Sequence, residues 1–174
     1  MSFLVLAYPK ISKEDFDFIQ AYRRENDLKF FNIVSPHFTI VFSTDGLTKE
    51  EFVNEIKNKA KGLQKFNFHL KVATINKDSF DSYYHEFLVA DTGNSEIIKI
   101  HDKLYSGILF KNLRFDIDFI PHIGIGNSEN ILESKKRVDE LNKKDISILG
   151  TIDKLDIVEY TDNKIETLEE VLLD

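Results

Sequence analysis

The sequence predicts an α+β chain built from two similar βαβαβ halves, and three observations predict it. The tripeptide FLV opens an apolar strand at Phe3 to Val5 and again at Phe87 to Val89, 84 residues later. Each half then passes through apolar residues at helical spacing. Each returns to a strand containing Pro-His, SPHFTIVF from Ser35 and IPHIGIGN from Ile120, whose histidines His37 and His122 stand 85 positions apart. The registers agree within one residue, so we read lobe-like repeats over 1–80 and 85–165 inside a single bilobal domain, 1–174.

The elements follow in order. FLVLA begins the first half as a strand, and Phe16, Ile19 and Tyr22 share one helical face. In SPHFTIVF, strand alternation puts Phe38, Ile40 and Phe42 on one side and His37 with Thr39 on the other. Thr48 and Glu51 form a capping box for a helix carrying Phe52, Ile56, Ala60 and Leu63. FNFHLKV, starting at Phe66, alternates cleanly and closes the half as a strand. In the second half a helix carries Ile97, Leu104 and Ile108, and Asn127 or Ser128 starts another carrying Ile131, Val138 and Leu141. ILGTIDKLDIVEY, from Ile148 to Tyr160, is the closing strand. A turn at Asp162 and Asn163 leads to a last strand from Ile165 to Leu172.

Composition narrows the function. A chain of 174 residues buries a real core, and fifteen Phe supply much of it. No cysteine is present, so thiolate nucleophiles, thiolate metal sites and disulfides are excluded. MSFLVLAYPK has a short apolar run without a basic region, a small-residue cleavage site or a membrane-spanning length, so the expectation is a soluble cytoplasmic monomer with no membrane partner. The net charge of -7 argues against wrapping a DNA duplex or another long nucleic acid, because such affinity comes from Lys and Arg neutralising phosphates. A small anion or a polynucleotide end fits better. Arg23 and Arg24, with Lys29, precede His37; the ordinary reading is solvated surface charge, the alternative a basic rim.

If the halves pack face to face, His37 and His122 converge on a shared cleft from opposite sides. Two Pro-His strands in matching registers, with the pattern histidine, any residue, then Thr39 in the first copy, resemble the signature of the 2H phosphoesterase superfamily, most nearly its bacterial 2'-5' RNA ligase-like branch. The resemblance runs from FLVLAYP through SPHFTIVF and EFLVADT to FIPHIGIG. It implies two lobes with antiparallel-rich sheets flanking a central cleft. It also implies a metal-independent hydrolase, without cofactor, that opens a 2',3'-cyclic phosphate or a 2'-5' phosphodiester in RNA ends or small nucleotides. On that resemblance His37 and His122 match the catalytic histidines and Thr39 the phosphate-binding hydroxyl of an HxT motif. Gly124 stands at the second phosphate-binding position, where the family carries Thr or Ser.

The residues suit that chemistry. Opening a cyclic phosphate needs a base for water and an acid for the departing ribose oxygen, and imidazoles with an ordinary pKa near ~6.5 supply a neutral base and a protonated acid together near neutral pH. Which histidine takes which role, and whether the chain runs as ligase or phosphodiesterase, stays open at this point. A metal centre lacks a third and fourth ligand, with no HExxH cluster. GIGN, Gly124 to Asn127, lacks the Lys and spacing of a phosphate loop. His101 falls on a helix face as a hydrogen-bonded boundary histidine, and His69 points to water. His85, with Tyr83 and Tyr84, either packs as an ordinary aromatic neighbour or reaches the cleft mouth to stack a base. If Gly124 binds nothing, it lets another backbone approach closely. A noncatalytic RNA-end or nucleotide-binding module is the second reading, kept open by Gly124, and a purely structural partner protein is the third.

Overall fold

A computed structural model describes residues 2–174. Among the described residues lie nine strands, β1 (Ser2–Ala7), β2 (Lys10–Ile11), β3 (Phe38–Thr44), β4 (Phe66–Lys77), β5 (Tyr84–Thr92), β6 (His122–Ser128), β7 (Ile148–Ile152), β8 (Lys154–Thr161) and β9 (Lys164–Leu172). Four α-helices join them, α1 (Lys13–Asn26), α2 (Lys49–Ala60), α3 (Asn94–Leu104) and α4 (Ile131–Asn142), with a 3-10 turn at Ile108–Asn112. The architecture is α+β, and every strand pairing is antiparallel.

Two sheets form, in the orders β3-β1-β8-β9 and β2-β7-β4-β5-β6. Each draws strands from both halves of the sequence. The order β3-β1-β8 in the first has its counterpart in β6-β5-β4 in the second, because the closing strand of each half completes the sheet begun by the other. That exchange sets the Pro-His strands β3 and β6 in corresponding places of the two sheets, and the two strands approach one another.

Local chemistry explains most boundaries. The Ser12 hydroxyl caps α1 by accepting the Asp15 N–H at 3.0 Å. The expected capping box starts α2: Thr48 Oγ1 accepts the Glu51 N–H at 3.2 Å, and the Glu51 carboxylate accepts the Thr48 N–H at 2.8 Å. Asp162 and Asn163 turn β8 into β9 with φ of 51° and 58°, the left-handed pair that a tight hairpin requires.

Four expectations need correction. The cap of α4 is Asn130, not Asn127 or Ser128; both of those stay in β6, paired with His85 and Tyr84. Ile108 does not continue α3. The helix ends at Leu104, and a Cβ at Gly107 would sit 1.8 Å from a Glu55 carboxylate oxygen that accepts the Ile108 N–H. The closing run Ile148 to Tyr160 is two strands, because the chain breaks at Asp153 and crosses from the second sheet to the first. Finally, Leu63 lies beyond α2, which ends at Ala60, although it still packs against the core.

The core fills the space between the sheets and the helices. Phe38 of the first sheet meets Phe68 of the second edge-on, with centroids 5.1 Å apart, and Phe3 stacks on Phe52 of α2 at 5.4 Å. Gly150 allows this packing, since a Cβ there would lie 2.4 Å from the Phe68 ring. Phe68→Ala should therefore cost about 3 to 5 kcal/mol in urea unfolding, since it empties the contact that joins the sheets. A loss under about 1 kcal/mol would mean that the sheets are held together elsewhere.

Candidate active site

The two Pro-His steps are built alike. In each, the imidazole Nδ1–H donates to the carbonyl of the residue preceding the proline: His37 to Ser35 at 2.8 Å, and His122 to Ile120. A carbonyl only accepts, so this bond fixes the proton on Nδ1 and leaves the Nε2 lone pair free. The proline between them holds the carbonyl in place, because the residue before a proline is confined to extended backbone and the ring fixes the next φ. Pro36 and Pro121 are both buried.

Both half-buried imidazoles line one cleft of about 470 Å³, together with Thr39 and Gly124. All four residues singled out in the sequence thus meet in one place. The Thr39 hydroxyl carries no hydrogen bond to any described residue, although many other polar side chains in the chain do. Gly124 is open: a Cβ there would meet nothing within 4 Å. The close-approach account of this glycine therefore fails, because nothing occupies the space a side chain there would take.

Aromatic neighbours set the ring planes. Phe87 of β5 stacks on His122 with centroids 3.5 Å apart and planes 18° from parallel, and His85 also stacks on Phe87, at 5.5 Å. Tyr8 meets His37 edge-on at 6.0 Å. His85 is thus a cleft residue in an aromatic column, and its Nε2–H donates to Asp78 Oδ2 at 2.8 Å. Burial works to raise the Asp78 carboxyl, but the N–H groups of Phe80 and Asp81 and the His85 ring hold it down at about 2. His69 does not simply face water, since it is half-buried and bonded to Ser147 Oγ at 2.9 Å.

Burial dominates the electrostatics of the pair. It pushes His37 and His122 each down to about 4, against the smaller upward pull of their carbonyl partners. Charged neighbours modulate the shift: Arg23 lowers His37 while Asp27 opposes it, and protonation of His122 is further disfavoured by the imidazoles beside it. Both rings are therefore neutral at pH 7 in the free protein, whereas at the ordinary imidazole pKa of ~6.5 each would be about a quarter protonated.

Three positioning features lie beyond the sequence reading. Arg23 is not a solvated surface charge; it is 2% exposed, lines the cleft wall and forms an ion pair with Asp27 at 2.8 Å. Its i,i+4 spacing to Asp27, on the helix face of Ile19, is the available signal. Second, β3 carries two register shifts against β1. They break the simple alternation, so Phe42 joins Thr39 on the cleft instead of facing away. Third, α3 meets backbone groups of the bulged strand: His101 Nδ1–H donates to the Ile40 carbonyl at 2.8 Å and the Tyr105 hydroxyl accepts the Phe42 N–H at 3.1 Å. His101 is thus a buried brace rather than a boundary residue.

A sequence model of the 2'-5' RNA ligase superfamily matches residues 9–164, and the chain belongs to that family. Putative phosphoesterase GK0864 of Geobacillus kaustophilus (strain HTA426) is 24% identical over 160 residues, spanning 90% of this chain and 88% of that one. The crystal structure of TT0787 of Thermus thermophilus superposes with a TM-score of 0.64 at 13% identity, covering 99% of this chain and 98% of that one. E. coli LigT complexed with 3'-AMP superposes at 0.58 with 10% identity, over 99% and 97% of the two chains. A second LigT complex holds NADP+ and also scores 0.58. No helix among the described residues is long and apolar enough to cross a membrane.

The depressed imidazoles make stability pH-dependent. A histidine whose folded pKa lies below its unfolded value stabilises the fold above the unfolded value, near ~6.5, and loses that contribution as pH falls. The melting temperature should therefore drop between pH 6.5 and about 4, and the drop should be shallower in the His37→Gln/His122→Gln double variant. Parallel pH profiles for the two proteins would show that the imidazoles are not held neutral by the fold.

Proposed function

We propose that the chain is a metal-independent phosphoesterase that hydrolyses a 2',3'-cyclic phosphate or a 2'-5' phosphodiester, in an RNA end or a small nucleotide, by two-histidine acid-base catalysis. The observation that carries this reading is the pair of matched Pro-His steps, each presenting a free Nε2 to one cleft. The matched strand orders of the sheets support reading residues 1–80 and 85–165 as a duplicated unit around that cleft. The nucleotide ligands of E. coli LigT lend the substrate class further support.

The reaction starts from two neutral rings. An incoming phosphodiester carries negative charge, and a nearby opposite charge favours the imidazolium, so binding brings one proton with it. The remaining neutral Nε2 takes a proton from water as the hydroxide oxygen forms its bond to phosphorus. The bond from phosphorus to one ribose oxygen breaks, and the Nε2–H of the imidazolium protonates that oxygen. Atoms balance as one water added, and the charged and neutral rings exchange roles. The Thr39 hydroxyl, free of protein partners, donates to a non-bridging phosphoryl oxygen as charge builds there.

Proton uptake on binding separates two pH profiles. Because kcat/KM reports the free enzyme, it should fall about tenfold per pH unit through neutrality, while kcat, which reports the complex, should stay level to higher pH. His37→Ala or His122→Ala should each cost at least ~10²-fold in cyclic phosphate hydrolysis, and EDTA should change nothing. Thr39→Val should lose at least about tenfold in kcat/KM, a hydrogen bond to a charged group being worth roughly 1.5 to 3 kcal/mol. Gly124→Ser, entering open space, should raise it. Chelator inhibition reversed by a divalent metal would overturn the mechanism. Measurable nucleotide binding without turnover, unchanged in every variant, would favour the noncatalytic module.

A further inference from the structure

Among the described residues three Lys or Arg side chains line the cleft, and they differ in burial. Lys77 is exposed and Arg114 is half-buried beside Asp116, whereas the Arg23 side chain is 2% exposed. Phe31 lies over the Arg23 guanidinium, with the central carbon 5.9 Å from the ring centroid. Nε–H donates to Asp27 Oδ2 at 2.9 Å, Nη2 lies 2.8 Å from the same oxygen, and Nη1–H donates to Gln20 Oε1 at 3.1 Å. A guanidinium carries five N–H groups. Each terminal nitrogen of Arg23 therefore keeps an N–H without an acceptor among the described residues.

The counter-ion is shared. Asp27 Oδ1 accepts Asn127 Nδ2–H at 2.6 Å, three residues beyond Gly124 in β6, and the Phe30 N–H at 3.1 Å. One carboxylate thus answers a guanidinium and two further donors. After burial it is the guanidinium that lowers His37, and it outweighs the opposing Asp27 there. Tied to β6 through Asp27 and felt at His37, Arg23 borders the cleft that both Pro-His strands line, where Thr39 offers a hydroxyl and Gly124 offers no side chain.

A buried ion pair is a poor source of stability, since desolvation offsets much of the Coulomb attraction. The same burial makes Arg23 effective toward an anion. Little water screens the charge, and the side chain is already ordered, so binding costs it little rotamer freedom. The planar fork of N–H groups also matches the oxygens of a phosphate.

Resting on the phosphoesterase reading, we propose that Arg23 is a phosphate-binding residue of this cleft, whose unpaired terminal N–H groups donate to a non-bridging phosphoryl oxygen, in addition to Thr39 and where Gly124 supplies no side chain. It holds the phosphoryl group without exchanging a proton, because a guanidinium stays charged.

The chain has four arginines, so nitrogen-15 NMR of the guanidinium groups in the wild-type protein is simple to resolve. The protein is titrated with a nucleoside 3'-monophosphate and, separately, with inorganic phosphate, and the histidine rings are followed in the same samples. At saturation the Arg23 signals should shift together with those of His37 and His122, while Arg24, exposed and outside the cleft, stays in place. By calorimetry Arg23→Gln should weaken the monophosphate at least ~10-fold, the loss of one hydrogen bond between charged groups. Arg23→Lys, which keeps the charge and loses the fork, should cost about threefold, and Arg24→Gln should change nothing. An unmoved Arg23, or an unchanged affinity in folded Arg23→Gln, overturns the inference; the wild-type spectra decide it if that variant does not fold. Arg23 moving while both imidazoles stay still overturns it too, because the phosphate would then lie apart from them. When Arg23 fails these tests, the phosphoesterase reading stands if the histidine rings respond or a cyclic phosphate is opened, and falls with the inference if neither happens.

Discussion

The site depends on one hydrogen bond made twice. A histidine preceded by proline donates Nδ1–H to the carbonyl two residues back, at Ser35 and at Ile120. The bond does three things together: it chooses the tautomer, it holds the ring against its strand, and it satisfies one polar atom of a group that burial keeps neutral. Without it, an imidazole in a largely apolar cleft would be free to rotate and to present either nitrogen. The exchange of closing strands between the halves then sets two such rings in corresponding places of neighbouring sheets.

A buried polar seam keeps the strands in register with the helices. Glu86 is fully buried, beside Gly126, where a Cβ would lie 2.6 Å from its carboxylate. It forms an ion pair with Arg137 of α4 at 2.8 Å and accepts the Tyr22 hydroxyl of α1 at 2.8 Å. Asn127 of β6 donates to Asp27 at 2.6 Å, and Arg137 donates to Asn26 at 3.1 Å. A buried carboxylate is costly unless it is compensated, and here the Tyr22 hydroxyl bonds one oxygen while the Arg137 guanidinium faces the other as an ion pair. The helix carrying Arg23 is thereby fixed against the strand carrying His122, while α3 braces the strand carrying His37 through His101 and Tyr105.

These two kinds of contact differ in how well the chain advertises them. Alternation in FNFHLKV, helical spacing in Phe52, Ile56 and Ala60, and the Thr48/Glu51 box are local patterns, and the corresponding elements stand where those patterns put them. The paired Pro-His strands are equally legible, because repetition at a fixed distance marks equivalent places in a fold. The bulges of β3 are not, since a slipped ladder depends on the partner strand and leaves no period of its own. Nor is the break at Asp153, where an apolar run of unbroken strand character crosses between sheets. Arg23 reads as surface because the average exposure of arginine outweighs its Asp27 partner one turn away. The neutral state of both rings is hidden too, as burial of a side chain is a property of the assembled cleft.

Two neutral imidazoles that share one tautomer are the central feature of the site, and nitrogen-15 NMR of the histidine rings reads this directly. At pH 7 the free protein should show His37 and His122 both uncharged with the proton on Nδ1, and addition of a nucleoside 3'-monophosphate should convert one ring to the imidazolium. A ring protonated on Nε2, or already charged before the nucleotide is added, would contradict it.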